Sequence, residues 1–360
     1  MKPRFLDFFA GSGLVTQGLK RHFAPVWAND ICERKRAIYV ANHGEGHFSL
    51  GSIAGVRGVD LPTADLAWAS FPCQDLSLAG KMGGLDAARS GLVWEWLRVL
   101  DEMHERPSVL AVENVAGLVS GRGGQDYRLI HQALVDRGYI VGPMLLDAVD
   151  WLPQSRPRVF IIAVNAGVNV DDITDWSPNW SHPTSVRNAA KGLDHLVWWR
   201  VPKPPTRTSK LSDVVDFRAN RDAAAVSAHN VRLIPEHHWN ALERLACSGS
   251  VVVPGYRRTR NGRQCLELRF DGVAGCLRTP EGGSSKQILV FADPHSVETR
   301  FLTTREAAAL MGAPKRYKLP GSSNDGYKAM GDGVAVPVVA HLAKHLLKPL
   351  ALRTMTALQA

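Results

Sequence analysis

The segment FLDFFAGSG, residues 5–13, joins an apolar run to a glycine turn. This order predicts a strand, a tight turn at Gly11 and Gly13, and a helix start, a geometry in which backbone N–H groups can meet a ligand. A second apolar run ends in Asp30, about 20 residues further on, where a carboxylate can accept both hydroxyls of a ribose. Taken alone, these residues fit an ordinary β-α-β unit with a surface aspartate equally well.

Around this segment, short apolar runs alternate with longer stretches of helical periodicity. The alternation predicts an α/β fold, with a parallel sheet covered by helices on both faces. Polar residues follow several predicted strands directly, and that is where ligands bind in open α/β sheets. The predicted strands are 4–9, 25–29, 65–70, 108–112, 140–146 and 158–164, and the predicted helices are 13–22, 33–42, 91–104 and 125–137.

The carboxyl-terminal half has a different texture. From about residue 170 the chain is rich in Trp, Pro, Asn and Ser, and regular periodicity fades. An amphipathic helix at 235–246 and short strands within 251–292 indicate a small, irregular, β-rich domain. Thr303 and Glu306 form a capping box that starts a helix, and the apolar face of 334–347 is wide enough to dock on the large domain. The expected ranges are 1–175 and 325–360 for the large domain and 176–324 for the small domain.

The composition is that of a folded, basic protein. Of 360 residues, 45% are hydrophobic, which fills a substantial core, and the net charge of +9 favours a polyanionic partner. A merely basic enzyme fits that charge equally well. The five cysteines are odd in number and never spaced C-x-x-C, which argues against a disulfide framework or a bound metal. That use of cysteine indicates a reducing compartment. No apolar run approaches the ~20 residues that cross a bilayer, so we expect no membrane association.

Three short blocks supply a nucleophile, an acid and a pair of cations. They are Phe71-Pro72-Cys73-Gln74, Glu113-Asn114-Val115 and Gln154-Ser155-Arg156-Pro157-Arg158. A cysteine is by default a buried, inert thiol. The proline before Cys73 and the polar run after it predict a loop instead, and Lys81 and Arg89, nearby in sequence, favour a nucleophilic thiolate.

The other two blocks complement the nucleophile. Glu113 follows an apolar run, so we expect it at the carboxyl end of a strand, where partial burial raises its pKa. A protonated Glu113 can bond N3 and the exocyclic amine of a cytosine, which makes C6 electrophilic toward Cys73. Arg156 and Arg158, two residues apart, are expected to point to one face and to contact a base carbonyl, the Cys73 loop or a phosphate. On sequence alone, such a pair is more often a solvated edge.

The order and spacing of these blocks resemble the C5-cytosine DNA methyltransferases from residue 4 to about 165, and again at 303–345. The resemblance implies a Rossmann-like, S-adenosylmethionine-dependent large domain and a small target-recognition domain. Ser52 stands where the family usually has Asp, and Asp332 where its closing motif normally has Asn. The implied catalytic residues are Cys73, Glu113, Arg158 and Arg156. The implied cofactor-binding residues are Phe9, Gly11, Ser12, Gly13, Asp30, Ile31, Ser52, Ile53, Pro72, Leu92, Asp332 and Val334.

A run of arginines within 255–278 is opposed only by Glu267 and Asp271. Such a patch can neutralise phosphates and place arginine guanidinium groups against guanine edges. Any single arginine could equally well be a solvated surface side chain with no role in DNA binding. The segment Arg278-Thr279-Pro280 resembles the Thr-containing turn of the family's target-recognition domains. The predicted DNA-binding residues are Gln74, Ser77, Arg257, Arg258, Arg260, Arg278 and Thr279.

Together these features predict a DNA (cytosine-5)-methyltransferase that binds double-stranded DNA in a basic cleft and flips a cytosine into its pocket. We expect a monomer in the cytoplasm of a bacterial cell or a phage-infected host. The recognition sequence stays open. A restriction-modification methylase with a cognate restriction endonuclease, an orphan regulator and a phage-borne methylase all fit. Methylation of a structured RNA and non-catalytic DNA binding on the same scaffold are the two rival functions.

Overall fold

A computed structural model of the chain describes residues 2–72, 91–279 and 286–357. The predicted nucleophile Cys73 and the predicted DNA-binding residues Gln74 and Ser77 lie outside the described residues. The chain divides into two compact units, each built from separate stretches of sequence. The large unit comprises Met1–Asp147, Pro157–Pro204 and Val336–Ala360, and the small unit comprises Ala148–Arg156 and Pro205–Ala335.

The large unit is built around a seven-stranded sheet. Its strands are β1 (Arg4–Phe8), β2 (Ala24–Asp30), β3 (Phe48–Leu50), β4 (Leu66–Ala69), β5 (Val109–Val115), β6 (Tyr139–Asp147) and β7 (Pro157–Asn165). The strand order is β3-β2-β1-β4-β5-β7-β6, and a two-stranded ribbon, β8 (Thr174–Asp175) with β9 (Trp198–Trp199), lies outside it. Every predicted strand is present, whereas the three-residue β3 escaped prediction because it is too short for a pattern.

The prediction of a parallel sheet is right for β1 to β5 and wrong for β7. The first five strands pair in parallel, while β7 runs antiparallel to both β5 and β6. The connection Ala148–Arg156 between β6 and β7 explains the reversal, because a parallel crossover needs about a dozen residues or more. The reversal brings the first residues of β7 beside the last residues of β5.

Helices cover this sheet. In β7 all residues from Val159 to Val164 are buried, as expected of a strand packed on both faces. The apolar residues Val93, Trp96, Leu97 and Leu100 lie at helical spacing on one buried face, and each contributes roughly 2 kcal/mol by its burial. Among the residues that the structure describes up to 204, the α-helices are α1 (Leu14–Leu19), α2 (Glu33–His43), α3 (Leu92–Glu102), α4 (Gly117–Ser120), α5 (Gln125–Val135) and α6 (Thr184–Ala190).

The small unit contains a four-stranded antiparallel sheet of order β11-β10-β12-β13. Its strands are β10 (Val251–Arg260), β11 (Arg263–Leu268), β12 (Ile288–Ala292) and β13 (Val297–Phe301), and its helices are α7 (Ala224–Arg232), α8 (Glu236–Ala246), α9 (Thr304–Leu310) and α10 (Ser323–Asp332). Asn261 and Gly262 both have positive φ, which makes the tight turn that joins β10 to β11. The predicted capping box of Thr303 and Glu306 starts α9. The β-rich small domain and the helix predicted at 235–246 are both present.

The tail Val336–Ala360 belongs to the large unit. It forms α11 (Val336–Leu342), a π-helical turn (Ala343–Leu347) and α12 (Lys348–Ala357). α11 crosses α1 at Gly18, where an added Cβ would lie 2.6 Å from the Val339 Cβ. The expectation about membranes needs one correction, since the helical stretch Ser323–Thr354 is long and apolar enough to span a bilayer. However, 61% of its most apolar window is buried inside the protein, and a long core helix passes the same test.

The units differ from the expected domain ranges at three stretches. Residues 176–204 join the large unit, where the Trp199 indole donates to the Ile162 carbonyl at 3.0 Å. The connection Ala148–Arg156 joins the small unit, where the side chain of Gln154 bonds backbone groups of Leu277 and Leu310. Residues 325–335 also join the small unit. Each assignment depends on contacts between residues far apart in sequence, which a change of composition does not report.

Candidate active site

Glu113 and Arg158 form a buried ion pair at the end of β5. The Arg158 Nε lies 3.0 Å from the Glu113 carboxylate, and the two side chains are 14% and 8% exposed. The pair exists because β7 is reversed: Arg158, near its start, is in register with Val115, two residues after Glu113. As predicted, Glu113 lies near the carboxyl end of its strand and is shielded from solvent.

Asn114 holds the chain immediately before the predicted nucleophile. Its amide nitrogen donates to the Phe71 carbonyl at 3.0 Å, and its amide oxygen accepts from the Val115 N–H at 2.9 Å. Asn114 is 3% exposed, and both bonds lie within the large unit. Phe71 is also buried and meets the ring of Phe9 edge-on at 6.4 Å. Asn114 therefore fixes one end of the segment that leads into Cys73, a role that sequence reasoning missed.

The premise that Arg156 and Arg158 lie in one strand is wrong. Arg156 lies outside β7 and belongs to the small unit, so the two-residue period of a strand does not apply to it. It is 2% exposed, and its guanidinium donates to the carbonyls of Leu277 (3.0 Å), Gly331 (2.7 Å) and Gly333 (2.7 Å). These bonds join two distant segments of the small unit, which is a structural role that the sequence pattern did not indicate.

The glycine turn after β1 is organised by Asp30. One carboxylate oxygen accepts from the Gly11 N–H at 2.9 Å and the other from the Cys32 N–H at 2.8 Å. Phe9, Gly11 and Gly13 all have positive φ, the region that costs a glycine least. An added Cβ on Gly11 would meet nothing closer than 3.9 Å, so a ligand can approach the backbone there.

Gly13 has a different neighbourhood. An added Cβ on it would lie 2.5 Å from the His43 ring, so this glycine is required by packing and not by space for a ligand. Burial, followed by the charge of Lys20, lowers the pKa of His43 to about 4, so the ring is neutral against the turn at pH 7.

The other predicted cofactor residues of the large unit differ in their exposure to solvent. Ile31 is 71% exposed, although Asp30 before it is 8% exposed. Phe9 and Leu92 are half-buried and Pro72 is exposed. Ile53 and Ser12 are buried, and the Ser52 hydroxyl accepts from the Ala54 N–H at 3.3 Å to cap a short turn. A fixed carboxylate beside an exposed apolar side chain fits a nucleoside, whose sugar is polar and whose base is flat and apolar.

A second buried carboxyl, Asp7 on β1, was not predicted as a site residue. Its Oδ2 accepts from the Thr16 hydroxyl at 2.7 Å, and that hydroxyl also contacts the Tyr39 hydroxyl at 3.1 Å. Among the described residues, its Oδ1 has no hydrogen-bond partner. Burial, opposed by the Thr16 hydrogen bond and aided by the charge of Asp30, raises the pKa of Asp7 to about 7. The signal in the sequence was an aspartate inside an apolar strand.

Asp332 and Thr279, both predicted site residues, contact each other in the small unit. The Thr279 hydroxyl donates to one carboxylate oxygen of Asp332. Val334, two residues after Asp332, is buried. The Asp332 carboxylate therefore accepts a hydrogen bond from the segment that was predicted to contact DNA.

Several predicted DNA-binding arginines have partners within the small unit. Arg260 forms a bidentate pair with Glu267 at 2.5 and 3.0 Å, and Arg258 lies 3.9 Å from the same carboxylate. Arg257 donates to the amide oxygen of Asn230. Arg278 is exposed. The arginine patch is thus less strongly cationic than the sequence indicated, because the Glu267 carboxylate lies beside Arg260 and Arg258 and offsets part of their charge.

The strand order, the glycine turn with its carboxylate, and the ion pair at the strand ends define a Rossmann-like methyltransferase. A sequence profile of the C-5 cytosine-specific DNA methylase family matches residues 3–348. The chain belongs to this family and is a DNA cytosine-5 methyltransferase.

Individual relatives agree with this assignment. The type II methyltransferase M.MspI of Moraxella sp. is 26% identical over 98% of this chain and 72% of its own length. The type II methyltransferase M.HhaI of Haemophilus parahaemolyticus is 25% identical over 95% of this chain and 94% of its own length. Among solved structures, the Dnmt2 methyltransferase of S. pombe has the same fold, with a TM-score of 0.62 at 19% identity over 97% of this chain and 99% of that one.

Proposed function

We propose that the enzyme flips a cytosine out of duplex DNA and methylates C5 through a covalent bond between Cys73 and C6. The Cys73 thiolate adds to C6 and forms an S–C6 bond, which makes C5 nucleophilic. When bound, S-adenosylmethionine would supply the methyl group for the new bond to C5, with S-adenosylhomocysteine as the leaving group. Loss of the C5 proton and cleavage of the S–C6 bond then restore the aromatic base and free Cys73.

The observation that carries this proposal is the buried pair of Glu113 and Arg158, 3.0 Å apart at the end of β5. Glu113 bonds N3 and the exocyclic amine of the flipped base, and Arg158 orients both the carboxyl and the base. A carboxyl and a guanidinium held in a shielded place match the hydrogen-bonding edge of a cytosine. An edge of this kind is reachable only after the base has left the stack.

The cofactor assignment rests on the neighbourhood of Asp30. Its carboxylate, fixed by the Gly11 and Cys32 N–H groups, accepts the ribose hydroxyls, and Ile31 packs on the adenine. Phe9, Pro72 and Leu92 supply further apolar surface. The family resemblance implies that this position binds the methionine moiety, and we propose that the Asp332 carboxylate faces its ammonium, where the contact is attractive.

A duplex that contains 5-fluorocytosine tests the mechanism. Release of Cys73 requires removal of the C5 hydrogen as a proton, and a fluorine in its place cannot be removed, so the covalent adduct is trapped. The wild-type enzyme with S-adenosylmethionine should give a band of enzyme plus DNA that survives denaturing electrophoresis, and Cys73→Ser should give none. Failure of the wild-type enzyme to form an adduct, on genomic fragments that contain every short sequence, would favour a non-catalytic DNA-binding protein.

The nature of the nucleic acid requires its own comparison. Labelled methyl groups offered with duplex DNA and with structured RNA should appear in DNA, since the net charge of +9 and the β-rich small unit suit a duplex. Label in RNA alone would overturn the choice of substrate and leave the chemistry intact. We further propose that the enzyme works in the cytoplasm, where a cognate restriction endonuclease is a compatible partner.

A further inference from the structure

Two segments of the small unit lie against each other, backbone to backbone. A Cβ added to Gly331 would come within 2.9 Å of the Arg278 carbonyl carbon and 3.0 Å of the Thr279 nitrogen. Gly331 lies in the closing motif, which is proposed to bind the cofactor, and Thr279 lies in the turn predicted to contact DNA. The two segments are more than 50 residues apart in sequence but share one contact surface.

Buried hydrogen bonds hold these segments together. The Arg156 guanidinium donates to Leu277 on one side and to Gly331 and Gly333 on the other. The Tyr256 hydroxyl donates to the Cys276 carbonyl at 2.8 Å, and the Gln154 amide oxygen accepts from the Leu277 N–H at 3.1 Å. Because packed interiors do not deform freely, a shift of the segment around Leu277 should also shift the segment around Gly331.

A side-chain hydrogen bond also joins the two segments. The Thr279 hydroxyl donates to Asp332, so it selects one orientation of that carboxylate. A hydrogen bond to a charged group is stronger than one between neutral groups and fixes geometry more tightly. Arg278, adjacent to Thr279, is exposed and available to a phosphate.

We propose that Thr279 is a positioning residue for Asp332, and that this bond couples the affinity for DNA to the affinity for the cofactor. The inference rests on the proposed function, in which Asp332 binds the cofactor ammonium and the Arg278–Thr279 segment meets DNA. A DNA phosphate that fixes the Arg278–Thr279 segment also fixes the Asp332 carboxylate. The conformational entropy lost on binding the second ligand is therefore smaller when the first is already bound. Linkage makes the effect reciprocal.

Calorimetric titration of S-adenosylhomocysteine tests this coupling without turnover. It is done with and without a duplex that the wild-type enzyme methylates, on wild type, Thr279→Val and Thr279→Ser. Wild type should bind more tightly with DNA. Thr279→Val should lose about tenfold in affinity and most of the gain from DNA, while Thr279→Ser should keep both. The Michaelis constant for S-adenosylmethionine should rise in Thr279→Val and stay near the wild-type value in Thr279→Ser.

The outcomes separate the inference from the function on which it rests. If wild type bound no S-adenosylhomocysteine, the proposed function itself would fail. If wild type bound it and Thr279→Val matched wild type under both conditions, only the coupling would fail, as it would if serine gave no rescue. A double-mutant cycle with Asp332→Ala should be strongly non-additive, because each single change removes the same bond. Additive effects would contradict action through Asp332.

Discussion

The guanidinium of Arg158 lies 3.0 Å from the carboxylate of Glu113, across the antiparallel pair of β5 and β7. The two residues are 45 positions apart and reach each other only because β7 is reversed within an otherwise parallel region of the sheet. A carboxylate this well shielded needs a partner, since desolvation of an unpaired charge costs several kcal/mol. The pair therefore links the stability of the sheet to the group that is proposed to activate the base.

Glu113→Gln should leave the fold intact and reduce kcat on the order of 10²-fold or more, because the amide cannot share a proton with N3 of the base. Incorporation of labelled methyl groups into DNA measures the loss. Asp101→Asn, a change at an exposed carboxylate that pairs with Arg137 and Arg106, is the control and should keep normal turnover. Near-normal methylation by Glu113→Gln would show that another group activates the cytosine.

Arg158→Met should lower the free energy of unfolding by about 3 kcal/mol, since it leaves the Glu113 carboxylate shielded and without this partner. Urea denaturation measures the change. The double variant with Glu113→Gln should recover part of that loss, because the remaining amide is neutral. If the double variant were less stable than the sum of the two single changes, the pair would not be the source of the effect.

Asp7 should make the protein less stable as the pH rises. Its pKa is raised from 3.8 to about 7 on folding, so the folded state holds a proton that the unfolded state has released. The free energy of unfolding should be highest, as far as Asp7 is concerned, below pH 4 and should fall from pH 4 to pH 7. Above pH 7 it should be lower by about 4 kcal/mol than below pH 4. Urea denaturation should find Asp7→Asn more stable than wild type at pH 8 and nearly equal at pH 4. A constant difference across that window would contradict the assignment.

Gly18→Ala should destabilise the contact between α1 and α11. Its Cβ would lie 2.6 Å from the Val339 Cβ and 3.0 Å from the Val336 carbonyl oxygen, and a backbone atom cannot move aside cheaply. We expect a loss of about 1–3 kcal/mol in thermal or urea unfolding. Gly46→Ala is the matched control, because nothing lies within 4 Å of its added Cβ and its free energy of unfolding should change little. Equal effects at both positions would place the cost in the backbone and not in packing.

Arg278→Ala should reduce the slope of log K against log salt for DNA binding by roughly 0.9, the value of one phosphate contact. Arg260→Ala should change it less, because the charge of Arg260 is already shared with Glu267. Replacing Arg257, Arg258 and Arg260 together by Ala should therefore flatten the slope by less than three full contacts. A larger drop for Arg260→Ala than for Arg278→Ala would show that the Glu267 pair opens on DNA.

The sequence predicted the elements better than it predicted their connections. Continuous apolar runs predicted the large strands, and the position after a strand predicted where Glu113 and Asp30 would lie. The direction of β7 was not predicted because periodicity reports which face is buried, and not the direction of the chain. The position of Arg156 was not predicted because its partners, Leu277 and Gly331, are 121 and 175 residues away.

The crossing of α1 and α11 also has a consequence for how the protein is made. The ribosome releases α1 more than 300 residues before the helix that covers Gly18. Until then the nascent large unit carries an uncovered apolar face, a surface of the kind that chaperones recognise and that promotes aggregation. We expect the small unit, whose main stretch Pro205–Ala335 is complete before Val336 appears, to fold while the large unit still lacks α11 and α12.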